Sequence, residues 1–428
     1  MTTRWLRVYR KPRLIAILFM GFSSGLPLPL VFATLSYWLR EVGVSRTAIG
    51  LFVLVGLSYS FKFLWSPLID SLALPWLTHR LGRRRSWALA IQLPLGLAIF
   101  ALGNTDPKLQ LTATALLAAA VAFLSASQDI VIDAYRIELL EPEEQGAGAA
   151  ATQWGYRFGA LAGSTGALDA AAFGGWRFAY SIMAALMLVG IVTVLLTPEP
   201  RLPVASSARP LLSARLRNAV ILPFLDFMSR RGWLVILIFI VLYKLGEALA
   251  GTMATPLYQE LGFTKEEVGN IGKIVGLLAT LSGVALGGAL VARIGLFRAL
   301  LFAGVLQMLS NLLYIALLLA GHDDLMLALS IFGENFTTGM ASAAFVAYLS
   351  GLCNLAFTAT QYALFSSLAA VPARFLSAPS GWLVDHLDWI PFFLFATAAC
   401  VPSLLVLLWL MRRQDRAAPP AETMAMAK

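Results

Sequence analysis

Long apolar runs alternate with short polar breaks from residue 14 to residue 411. A helix needs roughly 20 mostly apolar residues to cross the hydrocarbon core of a bilayer. Runs of about that length fall at 14–34, 48–70, 86–104, 111–136, 146–171, 176–197, 232–254, 267–290, 296–319, 325–350, 355–380 and 389–411. The pattern predicts an all-α polytopic membrane protein with twelve transmembrane helices. The first run follows MTTRWLRVYRKPR and superficially resembles a signal peptide. It is too long for a signal core and has no small-x-small cleavage site before Trp38, so it reads as an uncleaved first span.

Composition supports this reading. Hydrophobic residues make up 59% of the chain and charged residues only 13%, against roughly a quarter charged in a soluble domain. Little remains for a soluble domain. A net charge of +9 is compatible with nucleic acid, but the basic residues sit in short loops between the runs and are better explained by topology. With both termini cytoplasmic, the two tails and the even-to-odd loops hold most of the Lys and Arg. The outer loops then hold only Arg40, Arg46, Lys108, Arg177 and Lys265. Residues 198–231, with Arg201, Arg209, Arg215, Arg217, Arg230 and Arg231, read as a cytoplasmic linker between an N-terminal six-helix half, 1–197, and a C-terminal half, 232–411. The tail 412–428 is polar enough to be expected disordered. Membrane lipids are the expected surroundings, a monomer the expected state, and nucleic acid is not an expected partner.

The two halves echo each other. EVGVSRTAIG at 41–50 matches ELGFTKEEVG at 260–269, HRLGRRRSWAL at 79–89 matches ARIGLFRALLF at 292–302, and AATQWGYRFGALAG at 150–163 matches TATQYALFSSLAAV at 358–371. Three echoes in one order argue for a duplicated six-helix unit. Because six is even, the copies share one topology, the parallel repeat of the major facilitator superfamily, whose substrate sites lie between the halves near the bilayer midplane. SPLID followed by LGRRR resembles that superfamily's signature loop, with Asp70 facing Arg83, Arg84 and Arg85, although SLALPWLTH intervenes. A plain positive-inside cluster is the other reading.

Topology leaves the charges inside the spans unexplained: Lys62, Asp129, Asp133, Arg157, Lys244, Glu247, Lys273, Glu334 and Arg374. Each costs about 2.5–3.5 kcal/mol at mid-helix on insertion scales, so such residues usually face an interior cavity and a partner. Asp129 and Asp133 are four apart and share a helix face, and Arg136 continues the stripe. Two partly desolvated carboxylates this close do not both ionise comfortably, which suits one of them to bind and release a proton. A structural ion-pair cluster with Arg136, Arg157 or Arg83 to Arg85 is the alternative. Gln128, Gln153, Tyr156 and Arg157, with Gln361 and Tyr362 at the place of the third echo, are donors suited to a polyhydroxylated ligand bearing a carboxylate. For each of these, an interhelical hydrogen bond is the competing reading. Lys244 and Glu247, three apart, and Glu334 with Asn335 are further candidates to line the cavity.

Other residues mark packing. Gly155, Gly159 and Gly163 form a small-residue face, and Pro27 with Pro29 loosens the first span. Cys353 and Cys400 read as packed thiols without metal or disulfide spacing. His79, His322 and His386 show no metal or triad spacing, and no phosphate-cradling glycine loop appears. That argues against an enzyme and against a cofactor.

The stretches SYSFKFLWSPLID, LGRRRSW, SASQDIVIDAY, GAGAAATQWGYRFG, GEALAGTMATPLYQELGF, ENFTTGMASAAFVAYLS and ATQYALFSSLAAVPARFLSAPSGWLVD resemble the AmpG muropeptide permease family, from about residue 14 to 410. The resemblance implies an inner-membrane, proton-driven importer of N-acetylglucosaminyl-1,6-anhydro-N-acetylmuramyl sugars and their peptides, serving cell-wall recycling and β-lactamase induction. The family's SQDxxxDA element falls on Ser127, Gln128, Asp129, Asp133 and Ala134, which strengthens the proton-coupling reading. A carrier of another bulky anion, acetyl-coenzyme A-like or a nucleotide-sugar, is the alternative.

Overall fold

The computed structural model describes residues 11–200 and 212–417. All regular secondary structure among these residues is helical, and among them eight stretches of helix are long and apolar enough to cross a membrane. Contacts divide the chain into two compact units, Met1–Ser229 with Val346–Ser367, and Arg230–Phe345 with Leu368–Lys428. Residues 201–211 of the linker and 418–428 of the tail lie outside the described residues. The rest of the linker includes the helix Leu212–Met228, and the last helix, Val401–Ala417, continues past the end of its predicted span.

In the first unit, several predicted spans are interrupted helices. The first runs as Pro12–Gly25, Pro27–Val31 and Ala33–Glu41; the first break falls just before Pro27, which cannot donate a backbone N–H to the preceding turn, and the second at Phe32, whose backbone leaves the helical region. The second, predicted as one continuous run, is a chain of short pieces: Arg46–Leu51, the 3₁₀ turn Phe52–Gly56, Leu57–Phe61, the 3₁₀ turn Lys62–Leu64, and Ser66–Ser71. A physical cause lies at Pro67, which cannot donate to the Phe63 carbonyl. The Ser66 hydroxyl donates to that carbonyl instead, at 3.0 Å. The broken stretch carries Lys62, in the turn Lys62–Leu64. The fifth and sixth predicted spans lie within a single helical stretch, Pro142–Leu196, which turns at Gly175, where φ is +81°.

The first and fifth spans meet along a glycine seam. A Cβ on Gly155 would lie 1.9 Å from the Leu18 carbonyl oxygen, one on Gly159 2.1 Å from that of Phe22, and one on Gly25 2.0 Å from that of Tyr156. Only hydrogen fits, so the backbones touch. A Gly159→Leu substitution must therefore wedge the two helices apart. Overpacking a yielding core costs about 1–3 kcal/mol, and carbonyls on a neighbouring backbone yield less. We expect this variant to lose most of its folded yield in detergent size-exclusion chromatography, while a change at the open Gly269 leaves it intact.

The second unit packs in the same manner. Gly283 and Gly287 of the Leu277–Ile294 helix lie against the Phe336 and Met340 carbonyls of the Asp324–Gly351 helix, where an added Cβ would meet oxygen at 2.0 and 2.4 Å. Its π turn Gly272–Gly276 falls just after the ELGFTKEEVG echo, and the 3₁₀ turn Phe52–Gly56 falls at the corresponding place after EVGVSRTAIG.

Candidate functional site

The Leu111–Leu139 helix carries the charged seam of the first unit. Asp129 accepts a short hydrogen bond from the Ser24 hydroxyl of the first span. One turn on, Asp133 sits between two cations: Lys62 Nζ and an Arg136 terminal nitrogen each lie 3.8 Å from one of its oxygens. These distances are ion pairs rather than hydrogen bonds. Trp65, just beyond Lys62, donates from its ring nitrogen to Ser127 Oγ at 3.0 Å and fastens the broken second span to this helix. The Arg136 side chain is fully buried, stands over the Tyr362 ring at 5.4 Å, and its guanidinium nitrogens make no hydrogen bond among the described residues. Four charges of the seam thus stand within two turns: a hydroxyl-bound carboxylate, a carboxylate between cations, and the two cations.

Gln128 points elsewhere. It is fully buried, its amide nitrogen donates to the Ser23 carbonyl at 2.9 Å, and its oxygen accepts from the Ser23 hydroxyl at 3.1 Å. Both ends of this side chain bind the first span. On the Gln145–Leu161 helix, Gln153 and Arg157, four apart, share a face turned from the glycines of the seam, whereas the Tyr156 backbone belongs to the seam against Gly25 and its ring lies within electrostatic reach of Asp129. Gln153 and Tyr156 are partly buried and Arg157 is exposed, and their side chains make no hydrogen bond among the described residues.

A second knot forms where Asp70 ends the broken span. Arg84, fully buried, donates to Asp70 Oδ1 at 2.7 Å and, from Nε, to Glu138 at 2.9 Å, and Glu138 is itself without side-chain exposure. Arg83 donates to the Asp70 backbone carbonyl at 2.8 Å. The other Asp70 oxygen accepts from the Thr360 amide at 2.7 Å and its hydroxyl at 2.8 Å. Asp70 thereby caps the Thr358–Ser377 helix, where an anion complements the exposed N–H groups and the positive dipole end. Arg85 stands apart, donating to the Val194 and Leu195 carbonyls at 3.0 and 2.6 Å. Glu199 caps the Arg83–Gly103 helix, accepting from the Arg84 and Arg85 amides at 2.7 and 3.0 Å. Burial pushes the Glu199 carboxyl above its ordinary value, against the pull of those two amides.

Gln361 donates to the Pro223 carbonyl at 3.0 Å and to Asp226 at 2.8 Å, and accepts from the Asn354 amide at 2.7 Å. Like Gln128, it is engaged by the fold, here holding the Leu212–Met228 helix. In the second unit, Lys244 stands at the break between Trp233–Tyr243 and Leu245–Glu260. Its ammonium donates to Glu247 and to Ser342, each at 2.7 Å, and Gln307 joins Glu247 at 2.9 Å. Asn335 accepts from Thr280 Oγ1 at 3.1 Å, and Glu334 lies near enough to Tyr258 and Tyr314 to act on them electrostatically. Arg374 is exposed, and the Lys273 side chain lies outside the described residues.

The structure therefore joins Asp129, Asp133 and Arg136 with Lys62 and Ser24, and it joins Asp70, Arg83 and Arg84 with Glu138 and Thr360. It separates Arg85 and Arg136 from that second cluster, and it gives Gln128 and Gln361 intramolecular partners. Glu138, Glu199 and Asp226 were not legible as partners in the sequence. Glu138 lies five residues past Asp133 on the same helix, off the face that Asp129 and Asp133 share, so the spacing did not mark it.

The Major Facilitator Superfamily profile matches residues 13–377. The chain is 44% identical over 412 residues to an anhydromuropeptide permease of Escherichia coli (strain K12), across 95% of this chain and 82% of that one. It is 35% identical over 411 residues to a putative transporter, AmpG 4, of Rickettsia conorii, across 94% and 98%. Among solved structures it resembles a human organic anion transporter, at TM-score 0.65 and 17% identity over 94% of this chain and 99% of that one. It also resembles a proton:xylose symporter, at TM-score 0.62 and 13% identity over 95% and 96%; both likenesses concern the fold. The chain thus belongs to the major facilitator superfamily and, within it, to the AmpG muropeptide permease family: it is a multi-pass membrane transporter rather than an enzyme.

Proposed function

We propose that the protein imports N-acetylglucosaminyl-1,6-anhydro-N-acetylmuramic acid and its peptides across the inner membrane into the cytoplasm, for peptidoglycan recycling and β-lactamase induction. The observation that carries this reading is the 44% identity to the permease of Escherichia coli over 95% of the chain. Import runs as proton symport by alternating access of the halves 1–197 and 232–411, with both termini cytoplasmic and the protein a monomer.

Asp129 carries the proton. Asp133, held between Lys62 and Arg136, is the charged reference that a protonation event at Asp129 perturbs. Gln153, Tyr156 and Arg157 supply donors to the sugar hydroxyls and carboxylates of the substrate, and Arg157 suits a carboxylate bidentately. Lys244, Glu334, Asn335 and Tyr362 are the contributions from later in the chain. Gln128 and Gln361 act through the helices they hold. Asp70, Arg83 and Arg84 form a latch whose helix cap on Thr360 opens and closes with the transport cycle.

Uptake into inverted or right-side-out vesicles tests the proposal. Anhydro-muropeptide should accumulate in right-side-out vesicles under an inward proton gradient and drain when a protonophore is added. Accumulation of an acetyl-coenzyme A-like anion or a nucleotide-sugar in its place, or accumulation indifferent to the protonophore, would refute it.

A further inference from the structure

Away from the charged seam, the second unit gathers three side chains of metal-ligating type where two loops meet. Glu267 of the Lys265–Ile271 helix, His322 after the Leu312–Ala320 helix, and Asp324 at the start of the Asp324–Gly351 helix each offer one ligand atom. These atoms all lie within 4.8 Å of one another. His322 Nε2 is 3.6 Å from Glu267 Oε1, close to the edge of a tetrahedron whose bonds are roughly 2.0–2.2 Å.

Contacts outside the triplet prepare both nitrogen and oxygen. His322 Nδ1 faces the Leu261 carbonyl oxygen at 3.3 Å. A carbonyl only accepts, so that contact favours the proton on Nδ1 and leaves the Nε2 lone pair toward the two carboxylates. This is the arrangement in which metal-bound histidines are ordinarily oriented, with the second ring nitrogen donating to an outer acceptor. The ring is further fixed by stacking on Phe263, with centroids 4.2 Å apart and planes 25° from parallel. Glu267 is oriented as well: its Oε2 accepts from the Thr264 amide at 2.7 Å and hydroxyl at 2.9 Å in a capping box. Oε1 is left to face the imidazole.

We propose that Glu267, His322 and Asp324 form a binding site for a divalent transition-metal ion, with Zn²⁺ the best-suited ion. One imidazole and two carboxylates are a mixed nitrogen and oxygen set that suits zinc, whereas Mg²⁺ prefers an all-oxygen octahedral shell and sheds its waters reluctantly. Three protein ligands leave a fourth position for water. The bound ion ties the 261–267 segment to the 321–324 turn, two stretches that are far apart in the chain. For that reason no ligand spacing is visible along the sequence.

Isothermal titration of the purified full-length chain in detergent, free of any polyhistidine tag, tests this with Zn²⁺ as the probe and Mg²⁺ as the competitor. The expected result is one Zn²⁺ per chain that excess Mg²⁺ does not displace. His322→Ala should weaken binding by at least about tenfold, since even losing an outer partner of a ligand costs that much. His386→Ala, which alters an exposed histidine elsewhere in the unit, should leave binding unchanged. If His322→Ala does not fold, Asp324→Asn, at an exposed position, must show the same loss. Absence of stoichiometric Zn²⁺ binding, binding unaltered in the folded His322 or Asp324 variant, or displacement by Mg²⁺ would overturn the proposal and leave a plain His322–Glu267 ion pair.

Discussion

The Asp129→Asn protein is expected to move substrate across the membrane without concentrating it. An amide in place of the carboxyl keeps an acceptor for the Ser24 hydroxyl, so the helix contact survives, but it has no proton to gain or lose. A membrane potential of 100 mV supplies about 2.3 kcal/mol per charge moved, enough for roughly 50-fold accumulation for each net positive charge that protons and substrate together carry inward. In right-side-out vesicles that ratio should fall to about 1 in the variant, while exchange of labelled for unlabelled substrate at equilibrium continues. Asp133→Asn should behave differently. It removes the carboxylate between Lys62 and Arg136 and leaves two cations facing each other without an anion, so both accumulation and exchange should fail. If an Asp129→Asn protein that inserts normally still concentrates substrate, the proton lies elsewhere. If the two variants are indistinguishable, the division of roles between the aspartates is wrong.

Arg84→Met is expected to have the largest effect on stability. Arg84 is fully buried and is the shared cation for Asp70 and Glu138, whose side chains are 4% and 0% exposed. Methionine has similar length but no charge, so both carboxylates remain buried without their partner, with Arg83 supplying only a 3.8 Å contact to Glu138. Removing one partner of a buried ion pair costs about 3–5 kcal/mol, and here one removal takes the shared cation from two carboxylates. Thermal unfolding of the purified protein, followed by fluorescence, should show a large fall in the transition temperature. The double variant Arg84→Met with Glu138→Gln should recover part of the loss, because it deletes one stranded charge. A single variant as stable as wild type would mean that the knot contributes little, as many buried ion pairs do when measured against a well-packed replacement.

The same knot shows how far sequence reading reached. SPLID and LGRRR resemble a superfamily signature, so Asp70 and the arginines stood out. Their partners did not. Glu138 is an acidic residue at a helix end, and Thr360 is one of two threonines in FTATQ, so nothing local marks either as an Asp70 or Arg84 contact. Arg83, Arg84 and Arg85 look interchangeable in sequence, yet successive helical residues point about 100° apart: Arg83 and Arg84 reach Asp70 and Glu138, while Arg85 turns to the Val194 and Leu195 carbonyls. Gln128 and Gln361 have a similar history. An amide in an apolar helix signals that a partner exists, but not whether the partner is a ligand or the next helix. Both partners turned out to be the protein's own backbone and side chains.

Lys62 was visible only as an unexplained charge. It lies in the 3₁₀ turn Lys62–Leu64 of the broken second span, 3.8 Å from Asp133, and a sequence that reads as one hydrophobic run does not say where its helix will unwind. The broad architecture was legible for a different reason. In a bilayer every backbone polar group must be satisfied within its own segment, so apolar length alone dictates helices, and the internal echoes and motifs dictate the family. The i, i+4 spacing likewise placed Asp129 and Asp133 on one face without any tertiary knowledge. What the tertiary structure alone decided is the pairing: which carboxylate meets a hydroxyl, which lies between two cations, and which caps a distant helix. Those choices depend on close approaches such as the glycine seam of Gly155 and Gly159, and on helix breaks. Both set directions and distances between residues far apart in the chain, and hydrogen bonds and ion pairs are too short-ranged to be assigned without them.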